Sequence, residues 1–273
     1  MTTDHHLEEM NMRRKYGDGD TYISPPGQTA ALPTLKFMFA TLNGPLRWLW
    51  SKARANLCDD IVWNNSSAWL ADIFEEAGGR FVMEGLDNLH RQQKAAVFIA
   101  NHMSTLEAFV LPGIIRPHLP VTFVVKKSLT TMPVFGPIMR SRDPVAVERA
   151  NPREDLAVVL EEGVKRLQAG ISVIVFPQHT RSLDFDREMF NSIGIKLARK
   201  AGAPVMPIAL KTDAWGHGRK VKELGRIRPD LPAHFKFAPA MRVEGTGKAQ
   251  HAAICDFIEE NVVQWQKSEG VNR

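Results

Sequence analysis

Apolar residues recur in residues 35–50 as Leu35, Phe39, Leu42, Leu46 and Leu49, spaced by four, three, four and three, which traces one face of a helix. Gly44-Pro45 predicts a kink within it. A second helical pattern starts at Asp59 or Asp60 and runs to Ala77, with Val62, Trp63, Trp69, Leu70, Ile73 and Phe74 as its stripe and Gly78-Gly79 as its stop. From residue 80 the period changes. Strands are expected at 80–84, 95–100, 121–126, 145–148, 171–176 and 204–210, where Pro207 weakens the last. One or two more fall in 235–237 and 241–243. Helices are expected at 104–111, 153–169, 187–201 and 250–266. The unbroken apolar run at 171–176 suits a central strand buried on both faces.

Strand–helix alternation of this kind predicts an α/β fold with a mostly parallel central sheet flanked by helices, preceded by an N-terminal amphipathic helical pair. Residues 1–33 read as a flexible arm, 34–79 as the helical pair and possible membrane-docking element, and 80–273 as the α/β domain.

Four of the six tryptophans lie in or beside the helical pair, close to Lys36, Arg47, Lys52 and Arg54. Trp and basic residues around apolar helices suit a membrane interface, although a helical pair packed on the core has the same stripe. The stretch 35–50 contains Asn43, Gly44, Pro45 and Arg47, so it does not read as spanning. A net charge of +5 favours an anionic partner without choosing one. With no long basic run and 8% aromatics, the composition argues against nucleic acid. Cys58 and Cys255 form no Cys-x-x-Cys pair, which argues against a disulfide scaffold or structural zinc and fits a reducing compartment. The first twenty residues are polar and do not resemble a secretory signal.

Sites in open α/β sheets lie at the carboxyl ends of strands. After the strand ending at Ala100 comes Asn101-His102-Met103-Ser104-Thr105-Leu106-Glu107. Residues five apart point about 140° from each other in a straight helix, so His102 and Glu107 pair only if His102 sits in the turn before the helix. A carboxylate on Nδ1–H would fix the tautomer and leave Nε2 as a base. Ser104-x-x-Glu107 also reads as a capping box, which would engage Glu107 with the backbone instead. After the run at 171–176 comes Pro177-Gln178-His179-Thr180-Arg181-Ser182, where Arg181 is placed to meet an anion such as phosphate. Lys126 ends another strand, where it too could face a phosphate, and Lys127 follows it.

Together these segments resemble the glycerophospholipid acyltransferase family, the lysophosphatidate-acyltransferase-like enzymes. The family's Asn-His-x-x-x-x-Asp motif resembles Asn101-His102 through Glu107. Its basic residue before a Pro-x-x-Gly loop resembles Lys126-Lys127 through Pro133-Val134-Phe135-Gly136. Phe-Pro-Glu-Gly-Thr-Arg-Ser resembles Phe176-Pro177-Gln178-His179-Thr180-Arg181-Ser182, and the apolar stretch around a proline resembles Val205-Met206-Pro207-Ile208-Ala209. The likeness covers roughly residues 80–243.

It implies an O-acyltransferase that moves a fatty acyl group from acyl-CoA or acyl carrier protein to a lysophospholipid hydroxyl, such as that of lysophosphatidate. His102 would be the base, oriented by Glu107, while Lys126, Lys127, Gly136, Gln178, Thr180 and Arg181 would contact substrate. No cofactor or metal is implied beyond the acyl thioester co-substrate. The expected location is cytoplasmic, peripheral on the cytoplasmic face of a membrane.

Four departures bear on the acceptor. Glu107 stands for Asp, Gln178 for Glu, His179 for Gly, and Phe190-Asn191-Ser192-Ile193 lacks the family's lysine. They leave open a phosphate-free acceptor, such as a lyso-ornithine lipid, and a membrane-binding protein with a degenerate site. The absence of a Gly-x-Ser-x-Gly elbow argues against a serine hydrolase.

Overall fold

The computed structural model describes residues 11–178, 180–218 and 225–270. His179, which stands for the family's glycine, lies outside the described residues. Eight strands form one sheet: β1 (Tyr22–Ile23), β2 (Arg80–Glu84), β3 (Val97–Ala100), β4 (Val121–Lys126), β5 (Val145–Val147), β6 (Ser172–Val175), β7 (Val205–Lys211) and β8 (Pro232–Phe237). Their order across the sheet is β1-β2-β8-β7-β3-β6-β4-β5. The block β7-β3-β6-β4-β5 is wholly parallel. β8 runs antiparallel to β7, β2 parallel to β8, and β1 antiparallel to β2. This reversal divides the carboxyl ends of the strands between two edges. The carboxyl ends of β3, β4, β5, β6 and β7 share one edge, and those of β2 and β8 lie at the other.

Helices cover both faces. α1 (Pro33–Thr41), α2 (Arg47–Arg54), α3 (Asp60–Glu76) and α5 (Leu106–Ile115) contribute to one layer, and α7 (Pro152–Gln168), α8 (Ile193–Ala201) and α9 (Lys248–Ser268) to the other. Short helices α4 (Leu86–His90) and α6 (Phe135–Ser141) complete the set. β3 shows why both layers are needed. Phe98 and Ala100 enter the core beneath α3 and α5, while Val97 and Ile99 enter the core beneath α8 and α9. Successive strand residues point to opposite faces, so a strand apolar at every position requires cover on both sides.

Pro207 lies inside β7, which is buried throughout. A residue's N–H and C=O point to the same side of a strand. The Pro207 carbonyl accepts from Ala238 N, on the β8 side, just beyond the Ile208–Phe237 pair that starts that ladder. The donor that proline lacks is therefore missed only at a ladder end. The expected helix at 187–201 begins later, at Ile193, whose N–H is taken by Asn191 Oδ1 at 3.0 Å just ahead of it. Only one strand forms near 235–243; Met241 makes a single bridge to Val205.

The helical pair divides as Gly44-Pro45 predicts. A π-helical turn at Leu42–Leu46 separates α1 from α2, with Gly44 at φ −100° and ψ −110°. Trp69 closes over it, and a Cβ on Gly44 would sit 3.0 Å from the indole. The apolar stripe of α1 faces outward: Leu35, Phe39 and Leu42 are 64%, 72% and 55% exposed, and Phe37, off the stripe, is the buried anchor. Among the described residues no helix is long and apolar enough to cross a membrane.

The segment expected as a flexible arm is docked from residue 11 onward. Lys15 bridges Asp72 at 2.6 Å and Glu75 at 2.5 Å, and Tyr22 Oη donates to Glu75 at 2.8 Å. Tyr16 is buried, Asn64 Nδ2 donates to the Arg13 carbonyl at 2.9 Å, and β1 extends the sheet edge.

Candidate active site

β3 ends at Ala100, and residues 101–105 form a turn before α5 begins at Leu106. His102 therefore precedes the helix and Glu107 is its second residue, which cancels the angular mismatch of a continuous helix. His102 Nδ1 and Glu107 Oε1 are 2.9 Å apart. The Glu107 side chain is fully buried, while that of His102 is 18% exposed.

The capping and pairing roles of Glu107 coexist. Its Oε1 accepts from Met103 N at 2.7 Å and Ser104 N at 2.8 Å as well as meeting the imidazole. Its Oε2 accepts from Ser104 Oγ at 2.9 Å and Thr212 Oγ1 at 2.5 Å. Burial pushes the Glu107 carboxyl up, but hydrogen bonds from His102 and Thr212 and the attraction of His102 outweigh it and hold the group below the usual carboxylate range. An ionised Glu107 can only accept, so His102 carries its proton on Nδ1 and presents Nε2 unprotonated when neutral.

Other residues fix the ring and its backbone. Phe176, directly after β6, stacks on His102 with ring centroids 4.3 Å apart and planes 17° apart. His102 N donates to Gln178 Oε1 at 2.6 Å, and Ser182 N donates to the His102 carbonyl at 2.9 Å. Asn101 brackets β7, with Nδ2 donating to the Leu210 carbonyl at 2.7 Å and Oδ1 accepting from Leu210 N at 2.8 Å. That bracket brings Thr212, next after β7, against Glu107.

The expected substrate-contacting residues fall into two groups. Gln178 is buried and occupied by the His102 backbone. Gly136 is buried where α6 meets the turn at Lys127–Thr130; an added Cβ would lie 2.7 Å from the Thr130 carbonyl, so close packing explains it. By contrast, Arg181, Thr180, Lys126 and Lys127 lie at or just past the carboxyl ends of β6 and β4. Arg181 Nη1 donates to Thr105 Oγ1 in the turn beside His102. Thr180 and Lys126 are exposed, and Lys127 pairs with Glu148 at 2.5 Å. Asn191, at the position lacking the family's lysine, closes the loop from within through the Pro177 carbonyl at 2.5 Å and Ile193 N at 3.0 Å.

Sequence reasoning missed Thr212, Phe176 as a ring support, and His217, whose Nε2 donates to the Met103 carbonyl at 2.7 Å. Thr212 had the same positional signal as the residues that were singled out, a polar side chain just past a strand's carboxyl end. Among the described residues no group of three or more His, Cys, Asp or Glu side chains could hold a metal ion.

A doubly covered, mostly parallel sheet with these motifs along one edge defines an acyltransferase. The family model described as Acyltransferase matches residues 80–211. The 1-acyl-sn-glycerol-3-phosphate acyltransferase of Pseudomonas aeruginosa is 32% identical over 186 residues, covering 68% of this chain and 67% of that protein. A chloroplastic 1-acyl-sn-glycerol-3-phosphate acyltransferase of Brassica napus is 30% identical over 47% of this chain, which spans only 36% of that relative's length. The crystal structure of PlsC, the 1-acyl-sn-glycerophosphate acyltransferase of Thermotoga maritima, shares the fold with a TM-score of 0.67 at 18% identity, covering 86% of this chain and 95% of that one. The chain belongs to the acyltransferase family of the 1-acyl-sn-glycerol-3-phosphate O-acyltransferase type.

Proposed function

We propose that this protein transfers a fatty acyl group from an acyl thioester, acyl-CoA or acyl carrier protein, to the free hydroxyl of 1-acylglycerol 3-phosphate, with His102 as general base. The observation that carries this reading is the contact of His102 Nδ1 with a wholly buried carboxylate that has four further donors. Such a carboxylate holds one tautomer and stabilises the imidazolium formed during transfer.

His102 Nε2 takes the hydroxyl proton as the oxygen attacks the thioester carbonyl carbon. Collapse of the tetrahedral adduct breaks the C–S bond, and the thiolate leaves and is protonated. General-base assistance supplies about 10²–10⁴ in rate, and positioning of the two bound substrates supplies much of the rest. Arg181, with Lys126 or Lys127, would meet the acceptor's phosphate. The inward engagement of Gln178 and Asn191 favours a phosphorylated acceptor, because these two departures from the family pattern serve the loop rather than the open side.

The outward apolar face of α1 would dock the enzyme on a bilayer, with Lys36, Arg47, Lys52 and Arg54 near anionic headgroups. The face of the membrane would be cytoplasmic, where acyl thioesters are available.

The direct test follows free thiol release and phosphatidate formation from acyl-CoA and lysophosphatidate in mixed vesicles, for the wild type and His102→Ala. Coupled formation of both products, lost in the variant, is expected. A His102→Ala protein as active as the wild type would refute the role given to His102.

A further inference from the structure

Glu107 is held from two parts of the chain. The turn before α5 supplies Met103 N, Ser104 N and Ser104 Oγ, while the remaining non-histidine donor, Thr212 Oγ1, comes from beyond β7. The Thr212 contact, at 2.5 Å, is made to Oε2, the oxygen turned away from the imidazole. Thr212 is fully buried and does not reach the open side of the sheet edge, so it is not placed to touch either substrate.

Groups other than Glu107 also hold it, among them Ser104 Oγ, 3.0 Å from Thr212 Oγ1. The double Asn101–Leu210 bracket fixes the end of β7, and Thr212 N donates to Met103 Sδ at 3.3 Å. Next to it, Lys211 is locked by Asp213 at 2.8 Å and by Glu269 after α9. A hydroxyl delivered by a fixed strand end restrains the carboxylate more than an exposed rotor would. Rotation of Glu107 about its last side-chain torsion would break the Thr212 contact and the His102 contact together.

The geometry points to Thr212 as a positioning residue for the acyl transfer. It anchors Oε2 of Glu107 so that Oε1 stays aligned with His102 Nδ1. This inference rests on the His102–Glu107 reading above.

The experiment compares wild type, Thr212→Val, Thr212→Ala, Thr212→Ser and His102→Ala as full-length chains. It uses acyl-CoA and lysophosphatidate in vesicles, and measures kcat and KM across pH. Thr212→Val keeps the shape and removes the hydroxyl; Thr212→Ala ensures that the result does not hang on one variant's folding, which thermal melts check. Both should lower kcat about tenfold, the order of one hydrogen bond to a charged group, with KM for the acceptor little changed.

The acid limb of kcat/KM should also move to lower pH, because a carboxylate free to turn away from Nδ1 stabilises the imidazolium less. Thr212→Ser, which restores the hydroxyl, should recover both kcat and the limb. A merely structural role would lower the melting temperature without moving the limb.

Folded Val and Ala variants with wild-type kcat and acid limb would overturn the assignment, as would a Ser variant as impaired as Val. Those results beside an inactive His102→Ala would refute the role of Thr212 alone. An active His102→Ala would refute the parent reading instead.

Discussion

Replacing Glu107 with Gln separates the charge of this side chain from its shape. The amide oxygen can keep the three contacts of Oε1, to His102 Nδ1, Met103 N and Ser104 N. The amide nitrogen then faces the hydroxyls of Ser104 and Thr212, both of which can turn to accept. Ser104 Oγ keeps Thr212 Oγ1 as an acceptor at 3.0 Å, but the buried Thr212 hydroxyl loses its carboxylate acceptor, so the stability loss should be about 1–3 kcal/mol.

The catalytic loss is much larger. Unit charges about 4 Å apart attract by about 4 kcal/mol at an effective dielectric of about 20. The Glu107–His102 contact of 2.9 Å puts the carboxylate and the incipient imidazolium in that range. Part of the attraction survives as the amide dipole. At about 1.4 kcal/mol per factor of ten, kcat/KM should fall about 10²–10³-fold. Thiol release from acyl-CoA, with phosphatidate measured by mass spectrometry, gives the rate, and urea unfolding gives the stability. A folded Glu107→Gln enzyme within about threefold of wild type would refute the electrostatic reasoning, because it would leave the buried charge without a role in the transition state.

The remaining predictions concern stability and membrane contact. Lys211 is fully buried between Asp213 and Glu269. Lys211→Met should therefore cost about 3–5 kcal/mol in denaturant unfolding, because two acidic groups lose the cation between them. His118 is lowered from 6.5 to about 4, first by burial and then by the nearby His90. The unfolded chain binds this proton at higher pH than the fold does, so stability is lost as pH falls from about 6.5 to about 4 and levels off below. His118→Asn should flatten that part of a plot of melting temperature against pH. Phe39 is 72% exposed on α1. Phe39→Glu should abolish co-sedimentation with anionic vesicles while leaving turnover of detergent-dispersed substrate intact; unchanged sedimentation would exclude α1 as the docking face.

Much of the fold was legible because it depends on local pattern. The run at 171–176 is the doubly buried β6, Asp59 caps α3 with its side chain 2.8 Å from Val62 N, and Gly44-Pro45 divides the first helix. The placement of His102 and Glu107 was also legible, since a turn followed by a helix start is set within a few residues. The 3.6-residue period located α1 but could not say which way its stripe faces. Phe37 is buried and Leu35 and Phe39 are exposed because α3 and Trp215 pack against the Phe37 side.

What tertiary structure alone decided lies at long sequence separation. Glu75 and Asp72 draw Lys15 down onto α3, so a polar segment that reads as a loose arm is docked from residue 11 onward. Gln178, which the resemblance placed among the substrate contacts, turns inward to the His102 backbone, and Asn191 turns inward to the Pro177 carbonyl. Thr212 meets Glu107 across 105 residues of chain. The sequence by itself determined the elements, the motifs and the strand ends on which they sit, because those follow from side-chain periodicity and near neighbours. It could not determine which strand ends share an edge or which polar groups satisfy one another there. Those follow from the strand order that places β7 beside β3, and from the requirement that a buried carboxylate be met by donors wherever in the chain they arise.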